Sequence, residues 1–199
     1  MKKGLGCLLV IAAIIVVAAL WGVGKYNSLV KMEEPVKQAW SNVENDYQRR
    51  ADLIPNLVET VKGYAQHESE TFKEVTEART KATQIHIDAD NLTEEEIKKY
   101  QEAQGEVGAA LSRLIAVSEA YPELKANENF KELQVQLEGT ENRIKESRKT
   151  YNAVAEEYNS SIRLFPTNII ANLCGFSAKS YFAAEAGAEK APKVDFGTK

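Results

Sequence analysis

Arg50, Glu68 and Arg79 occupy places where the surrounding pattern calls for apolar side chains. From Leu29 the residues Met32, Val36, Trp40, Val43, Tyr47, Arg50, Ile54, Leu57, Val61, Tyr64, Glu68, Phe72, Val75 and Arg79 or Ala82 follow at steps of three or four. That is the spacing of one helix face turned toward other helices. Glu119 stands beside a second such seam, and Glu141 and Arg148 beside a third. Taking an unpaired ion out of water is very costly, so these charges are expected to find opposite or hydrogen-bonding mates. Two kinds of chemistry fit. Interhelical ion pairs would fix helix order and register, whereas a polar cleft would take a small ligand or lipid. Arg49, Arg50 and Asp52, close to Pro55, form the candidate polar network or partner contact together with Glu68, Glu119, Glu141 and Arg148. The Tyr-Asn pair repeats at Tyr151-Asn152 and Tyr158-Asn159, one heptad apart, and is expected to satisfy buried polar partners across helices.

No residue set for bond-breaking chemistry accompanies these charges. His67-Glu68 lacks the second histidine of a zinc-protease helix. Neither histidine follows a glutamate by three positions, as a di-iron bundle requires. There is no phosphate-cradling glycine loop and no Gly-x-Ser-x-Gly turn. His86, Asp88 and Asp90 fall in a pattern-free stretch that reads as a solvated loop. The expectation is therefore no catalytic residue, no metal and no cofactor. Cys7 and Cys174 are too few and too far apart for a disulfide framework. The chain carries a net −4, and residues 1–31 hold four lysines and no acid, which leaves −8 on residues 32–199. Such a surface repels polyanions and excludes nucleic acid as a partner.

The elements that would position these charges begin with a membrane anchor. Leu5 to Val23 is uncharged, preceded by Lys2-Lys3 and followed by Lys25, with Trp21 and Tyr26 at the boundary. Its nineteen residues match a hydrocarbon core of about 30 Å and exceed a cleaved leader's apolar stretch. The lipid bilayer is thus the first expected partner. The flanking lysines weakly favour an extracytoplasmic position for the chain beyond the anchor. The expected division is a flank at 1–4, a transmembrane anchor at 5–24, a helical bundle at 25–183 and a flexible tail at 184–199.

Pro35 either kinks a continuous rod or opens a fresh helix, and the unbroken register favours the rod. Pro55 should free the carbonyl of Ala51, giving a bend that wraps the helix around its neighbours or acts as a hinge. The first rod is expected to run on to Arg79 or Ala82. Gln84 to Asn91 breaks the pattern, and Thr93 with Glu96 makes a capping box. From there Ile97, Tyr100, Gln104, Val107, Leu111, Leu114, Ser118 and Tyr121 form the second seam, with Pro122 as its stop. Gly105 and Gly108 suggest a close helix–helix approach. The third seam is the longest: Phe130, Leu133, Leu137, Thr140, Ile144, Ser147, Tyr151, Val154, Tyr158, Ile162 and Phe165. Pro166 stops it, and Asn168 to Leu173 then makes a short helix ended by Gly175. Phe176, Tyr181 and Phe182 should cover an end or groove, and Val194-Asp195-Phe196 a further small patch. The fold class is all-α: a long antiparallel bundle of three long helices and a short C-terminal helix, following the anchor.

Six stretches of the chain stand out as a set of motifs. They include Arg49-Arg50-Ala51-Asp52-Leu53-Ile54-Pro55-Asn56-Leu57-Val58, Val61-Lys62-Gly63-Tyr64 with His67-Glu68, and Ala120-Tyr121-Pro122-Glu123-Leu124-Lys125-Ala126-Asn127. Leu137-Glu138-Gly139-Thr140-Glu141-Asn142-Arg143-Ile144, Arg148 with Tyr151-Asn152, and Arg163-Leu164-Phe165-Pro166 complete the set, which resembles the bacterial LemA family. Ser118 stands where the family pattern has alanine. The resemblance implies a bacterial single-pass membrane protein with an antiparallel helical bundle, some of whose relatives are linked to organising internal membranes. It implies no activity. The function expected is a non-enzymatic, membrane-anchored interaction or scaffolding module that binds a protein partner or itself. The alternative is a small-ligand or lipid sensor with its cleft near Pro55.

Overall fold

A computed structural model describes residues 2–90 and 92–183, with side chains from residue 9 onward. The expected tail and its Val194-Asp195-Phe196 patch lie outside these residues. Among the described residues the chain is all-α, with no strand. Helix α1 runs unbroken from Lys2 to Lys62, passing through both Pro35 and Pro55. At about 1.5 Å per residue it is a rod of roughly 90 Å. Its first third, from Leu9, is apolar and lies outside the packed core, and its remainder is one side of the bundle.

The rod ends earlier than its periodicity suggests. Gly63 lowers helix propensity by about 1 kcal/mol relative to alanine. There the backbone tightens into turns closed by Tyr64 N–H and Ala65 N–H on the Val61 carbonyl. Ala65 is buried and Phe72 resumes the seam on a separate helix, α2 (Ser69–Thr83), folded back on α1. Among the described residues the expected first rod is therefore two helices, α1 and α2, and the longer helices number four where three were expected.

Helix α3 (Glu94–Val117) opens on the Thr93/Glu96 capping box, with both reciprocal hydrogen bonds present. It ends before Pro122 in a 3-10 turn at Ser118–Ala120, and Pro122 instead opens the five-residue α4 (Pro122–Ala126). Helix α5 (Glu128–Arg163) is capped by Asn127, whose side chain accepts from the Phe130 N–H at 2.9 Å. Helix α6 (Thr167–Cys174) stops at Gly175, held at φ +79°, and Phe176 N–H then reaches back to the Ala171 carbonyl.

Contacts between helices give the directions. Arg50 meets Glu141 while Trp40 meets Tyr151, so α1 and α5 are antiparallel. Lys81 pairs with Glu106 and Glu74 with Arg113, so α2 and α3 form an antiparallel hairpin. Every seam position predicted for α3 is buried except the partly covered Tyr121. On α5 the stripe holds from Phe130 to Ile162, but Phe165 is 79% exposed because the helix has already ended. Gly105 faces open space and Gly108 meets only the Arg50 side chain, at 3.9 Å, so neither marks a close backbone approach.

Two apolar clusters fill the bundle. One, nearer the anchor, gathers Leu29, Val36, Val43, Ile144 and Ile162 around an aromatic knot. In it Trp40 contacts Tyr100 at 5.5 Å and both Tyr151 and Phe182 at 5.7 Å. The other, at the far end, joins Ile54, Leu57, Val61, Phe72, Val75, Leu111, Leu114, Phe130 and Leu137.

Candidate functional site: a polar layer around Arg50

Between the two clusters the seam residues turn polar at one level on three helices: Arg50 on α1, Gln104 on α3 and Thr140 on α5, all buried. Helix periodicity places them there, since each lies one turn from the last apolar member of one cluster and one turn from the first of the other. Arg50 makes three hydrogen bonds with its planar fork. Its Nη1 donates to Glu141 Oε1 at 2.9 Å, and its Nη2 to the Gln104 carbonyl at 2.9 Å and to Gln104 Oε1 at 2.6 Å. The guanidinium also lies over the Tyr47 ring, 5.0 Å from its centre. Thr140 turns its hydroxyl onto the Gln136 carbonyl of its own helix. Only 4% of the Arg50 side chain is exposed, while Glu141 keeps 36% of its own surface open to water. The pair is therefore buried from one side only, which lowers the desolvation cost of the carboxylate.

Pro55 adds a second polar tie at nearly the same level. A proline inside a helix leaves the carbonyl four residues earlier without its usual donor. That carbonyl belongs to Ala51, and Arg79 Nε on α2 donates to it at 2.7 Å. The seam arginine of α2 thus fills the vacancy made by the proline of α1.

Glu44, Tyr47, Arg79, Ile85, His86 and Tyr100, with Arg50 and Gln104, surround a cleft of about 100 Å³. Burial pushes the Glu44 carboxyl and the Tyr47 phenol above their usual values, and Tyr100 further still. Among the described residues no group of His, Cys, Asp and Glu could hold a metal ion.

Of the remaining predicted site residues, few converge. Arg49 is exposed and stays outside the layer; Asp52 is also exposed and accepts only from Gln48 on its own helix, at 2.7 Å. Glu68 accepts from the Tyr121 hydroxyl at 3.3 Å, a contact that ties the α1–α2 turn to the α3–α4 turn. Glu119 is exposed and pairs locally with Lys125. These differences share one cause: each residue sits at a helix end or on a flank, where water reaches it. Arg148 is two turns along α5 from Glu141, with its guanidinium over the Phe182 ring and a bond to the Ala183 carbonyl at 2.9 Å.

That last contact belongs to a second polar site, which sequence reasoning missed. Residues 177–183 are an extended strap laid along α5. Asn159 donates to the Lys179 carbonyl at 2.7 Å and accepts from its N–H at 2.8 Å. Asn152 does the same for Phe182, at 3.0 and 2.9 Å, and Gln101 for Ala183. The Tyr151 hydroxyl donates to the Ser180 carbonyl. Three of the four residues of the Tyr-Asn repeat therefore serve the backbone of the strap rather than partners across helices, and the buried hydroxyl of the fourth, Tyr158, has no hydrogen-bond partner among the described residues. Held this way, the Lys179 side chain is buried, with Nζ at 2.9 Å from Glu33 and 2.7 Å from the Asp90 carbonyl. The only advance signal was the heptad-spaced Asn pair itself.

A sequence model of the LemA family matches residues 39–196, which hold most of the bundle, the layer around Arg50 and the strap with Lys179. Magnetosome protein MamQ 2 of Paramagnetospirillum magneticum is 32% identical over 175 residues, covering 79% of this chain and 64% of that protein. Magnetosome protein MamQ of Magnetospirillum gryphiswaldense is 29% identical with the same coverage. Protein LemA of Metamycoplasma hominis is 27% identical over 149 residues, 75% of this chain and 64% of its own length. The chain thus spans a little under two thirds of these relatives. With its apolar N-terminal helix it is a membrane-associated, all-α protein, and it belongs to the LemA family.

Proposed function

We propose that this protein is a single-pass, non-enzymatic interaction or scaffolding module, anchored by α1 and presenting its bundle on the extracytoplasmic side of a bacterial membrane. The observation that carries the reading is the polar layer: its charges are consumed by the protein's own groups. Arg50 has three acceptors within the bundle, one of them a carboxylate, and the Arg79 Nε–H is given to a backbone carbonyl, so the central cation of the layer is already matched. The adjoining cleft, at about 100 Å³, is well below the roughly 300 Å³ at which small-molecule sites begin. That size supports a scaffold over a lipid or metabolite sensor.

A helix whose first third is the anchor and whose remainder is built into the bundle suits holding a second copy or another protein at a set distance from the bilayer. Crosslinking in intact membranes, followed by mass spectrometry of the purified adducts, tests this. A reproducible protein–protein crosslink through the bundle is expected. A bundle that is only ever monomeric and uncrosslinked contradicts it. Protease treatment of intact spheroplasts checks sidedness: the bundle should be digested, and full protection would place it inside.

A further inference from the structure

Beyond the anchor, exposed large apolar side chains gather at one corner of the bundle, whereas Val135, 69% exposed, stands apart on α5. Leu164, Phe165, Ile169 and Leu173 are 63%, 79%, 54% and 80% exposed. No residue from Leu164 to Ala178 carries a charge. Scattered apolar residues on a surface are ordinary, but a contiguous patch calls for something to cover it.

The fold states what lies beside this patch. Pro166, between Phe165 and α6, forms one wall of an apolar furrow of about 620 Å³ whose other wall is Val10, Ala13, Ile14, Val17, Ala18 and Trp21 of α1. Gly22 lets α6 come close: a Cβ there would stand 3.4 Å from the Ile170 side chain. One turn further, Tyr26 packs on Phe176 at 5.6 Å. The corner is thus level with the second half of the apolar stretch of α1, not with the bundle core. Whatever surrounds Val17 and Trp21 also surrounds Leu164 and Phe165.

We propose that residues 164–176 are a second membrane-seated element, with the Leu164-Phe165 corner and the Ile169/Leu173 face of α6 set among the acyl chains of the leaflet that α1 enters. This rests on the reading of α1 as a membrane anchor. A leaflet fits better than a soluble partner because the furrow is continuous with the anchor, which a protein outside the bilayer could not reach. It also fits because the patch carries no charge for such a partner to recognise. With contacts on both the α1 and α6 sides, the bundle is held at a fixed tilt instead of turning about a single tether.

The test uses the full chain with Cys7→Ala and Cys174→Ala. Single cysteines are introduced by Leu20→Cys, Phe165→Cys, Leu173→Cys and Ser69→Cys and labelled with an environment-sensitive fluorophore. Each protein is reconstituted into phosphatidylcholine–phosphatidylglycerol vesicles containing lipids spin-labelled on the acyl chain, and helix content is checked by circular dichroism. The fluorescence lost at positions 165 and 173 should match that at 20, with none lost at 69. Loss at 20 but not at 165 and 173 overturns the proposal and leaves the anchor intact. No loss at 20 removes the anchor reading and the proposal together. A blue-shifted but unquenched label at 165 means that protein, a second copy included, covers the corner, and also overturns the proposal.

Discussion

Arg50 and Lys179 are the two most deeply buried cations among the described residues, at 4% and 2% exposure, and each meets a carboxylate at 2.9 Å. They are built differently. Arg50 projects from a regular helix, and its acceptors lie on two other helices, so one residue ties α1, α3 and α5 at a single level. Lys179 projects from an extended strap that has no helix ladder of its own. Its position depends on amide side chains that clasp the strap's backbone, and its ammonium reaches across to Glu33 on α1 and to the Asp90 loop. The first cation locks elements that already exist. The second lies in a segment ordered only by the contacts around it. Buried charge therefore sets register in the middle of this bundle and seals its anchor-side end.

The largest expected effect separates the two halves by pH. Burial raises the phenols of Tyr47, Tyr100 and Tyr151, and pushes Tyr158 up to about 12. All four belong to the anchor-side cluster. Above the usual phenol value near 10 the unfolded chain ionises while the folded chain keeps its protons, so stability falls as pH rises from there toward 12. Hydrogen exchange across that window should show α5 and the strap opening before the α2–α3 hairpin. Simultaneous opening would erase the distinction between halves.

Arg50→Ala comes next. It leaves Gln104 without its buried donor and Glu141 unpaired, at an expected cost of about 3 kcal/mol. The half-open Glu141 can rehydrate, which keeps the loss at the low end for a broken buried pair. A thermal midpoint unchanged by this substitution would mean that the arginine's bonds contribute nothing. Lys179→Ala should cost about 2 kcal/mol, and it should loosen residues 177–183 while leaving α2 and α3 protected from exchange. Asn159→Ala, which removes both clasping bonds to Lys179, should cost about 1–2 kcal/mol with the same local pattern. Arg79→Ala is expected to be the mildest, about 1 kcal/mol, because water can reach the freed Ala51 carbonyl. Its loss should shrink further when Pro55 is replaced by alanine, since the helix then supplies its own donor.

Much of this was legible beforehand, where periodicity could speak. The seams placed Arg50 and Gln104 in the core, Pro55 identified Ala51 as the orphaned carbonyl, and Thr93 with Glu96 marked the start of α3. Two features were not legible. A three-or-four rhythm continues across Gly63 whether or not the helix does, because a turn of suitable length leaves the next apolar residue in phase. The Lys179 site has no rhythm at all: Ser177 to Ala183 is extended chain, and nothing in its order of residues shows that Asn152, Asn159 and Gln101 will bind its backbone. Exposed Arg49, Asp52 and Glu119 were drawn into the expected network by nearness in sequence to seam positions, but unlike Glu141, which reaches Arg50 from beside its seam, they turn to water.

The polar layer, on this reading, fastens a scaffold and does not hold a ligand. Native mass spectrometry of the full chain released from lipid nanodiscs tests that claim most directly, with Arg50→Lys as the comparison. Masses of the chain and its protein assemblies are expected, with no adduct beyond disc lipids, in both proteins. A small molecule retained by the wild type and absent from folded Arg50→Lys would contradict it.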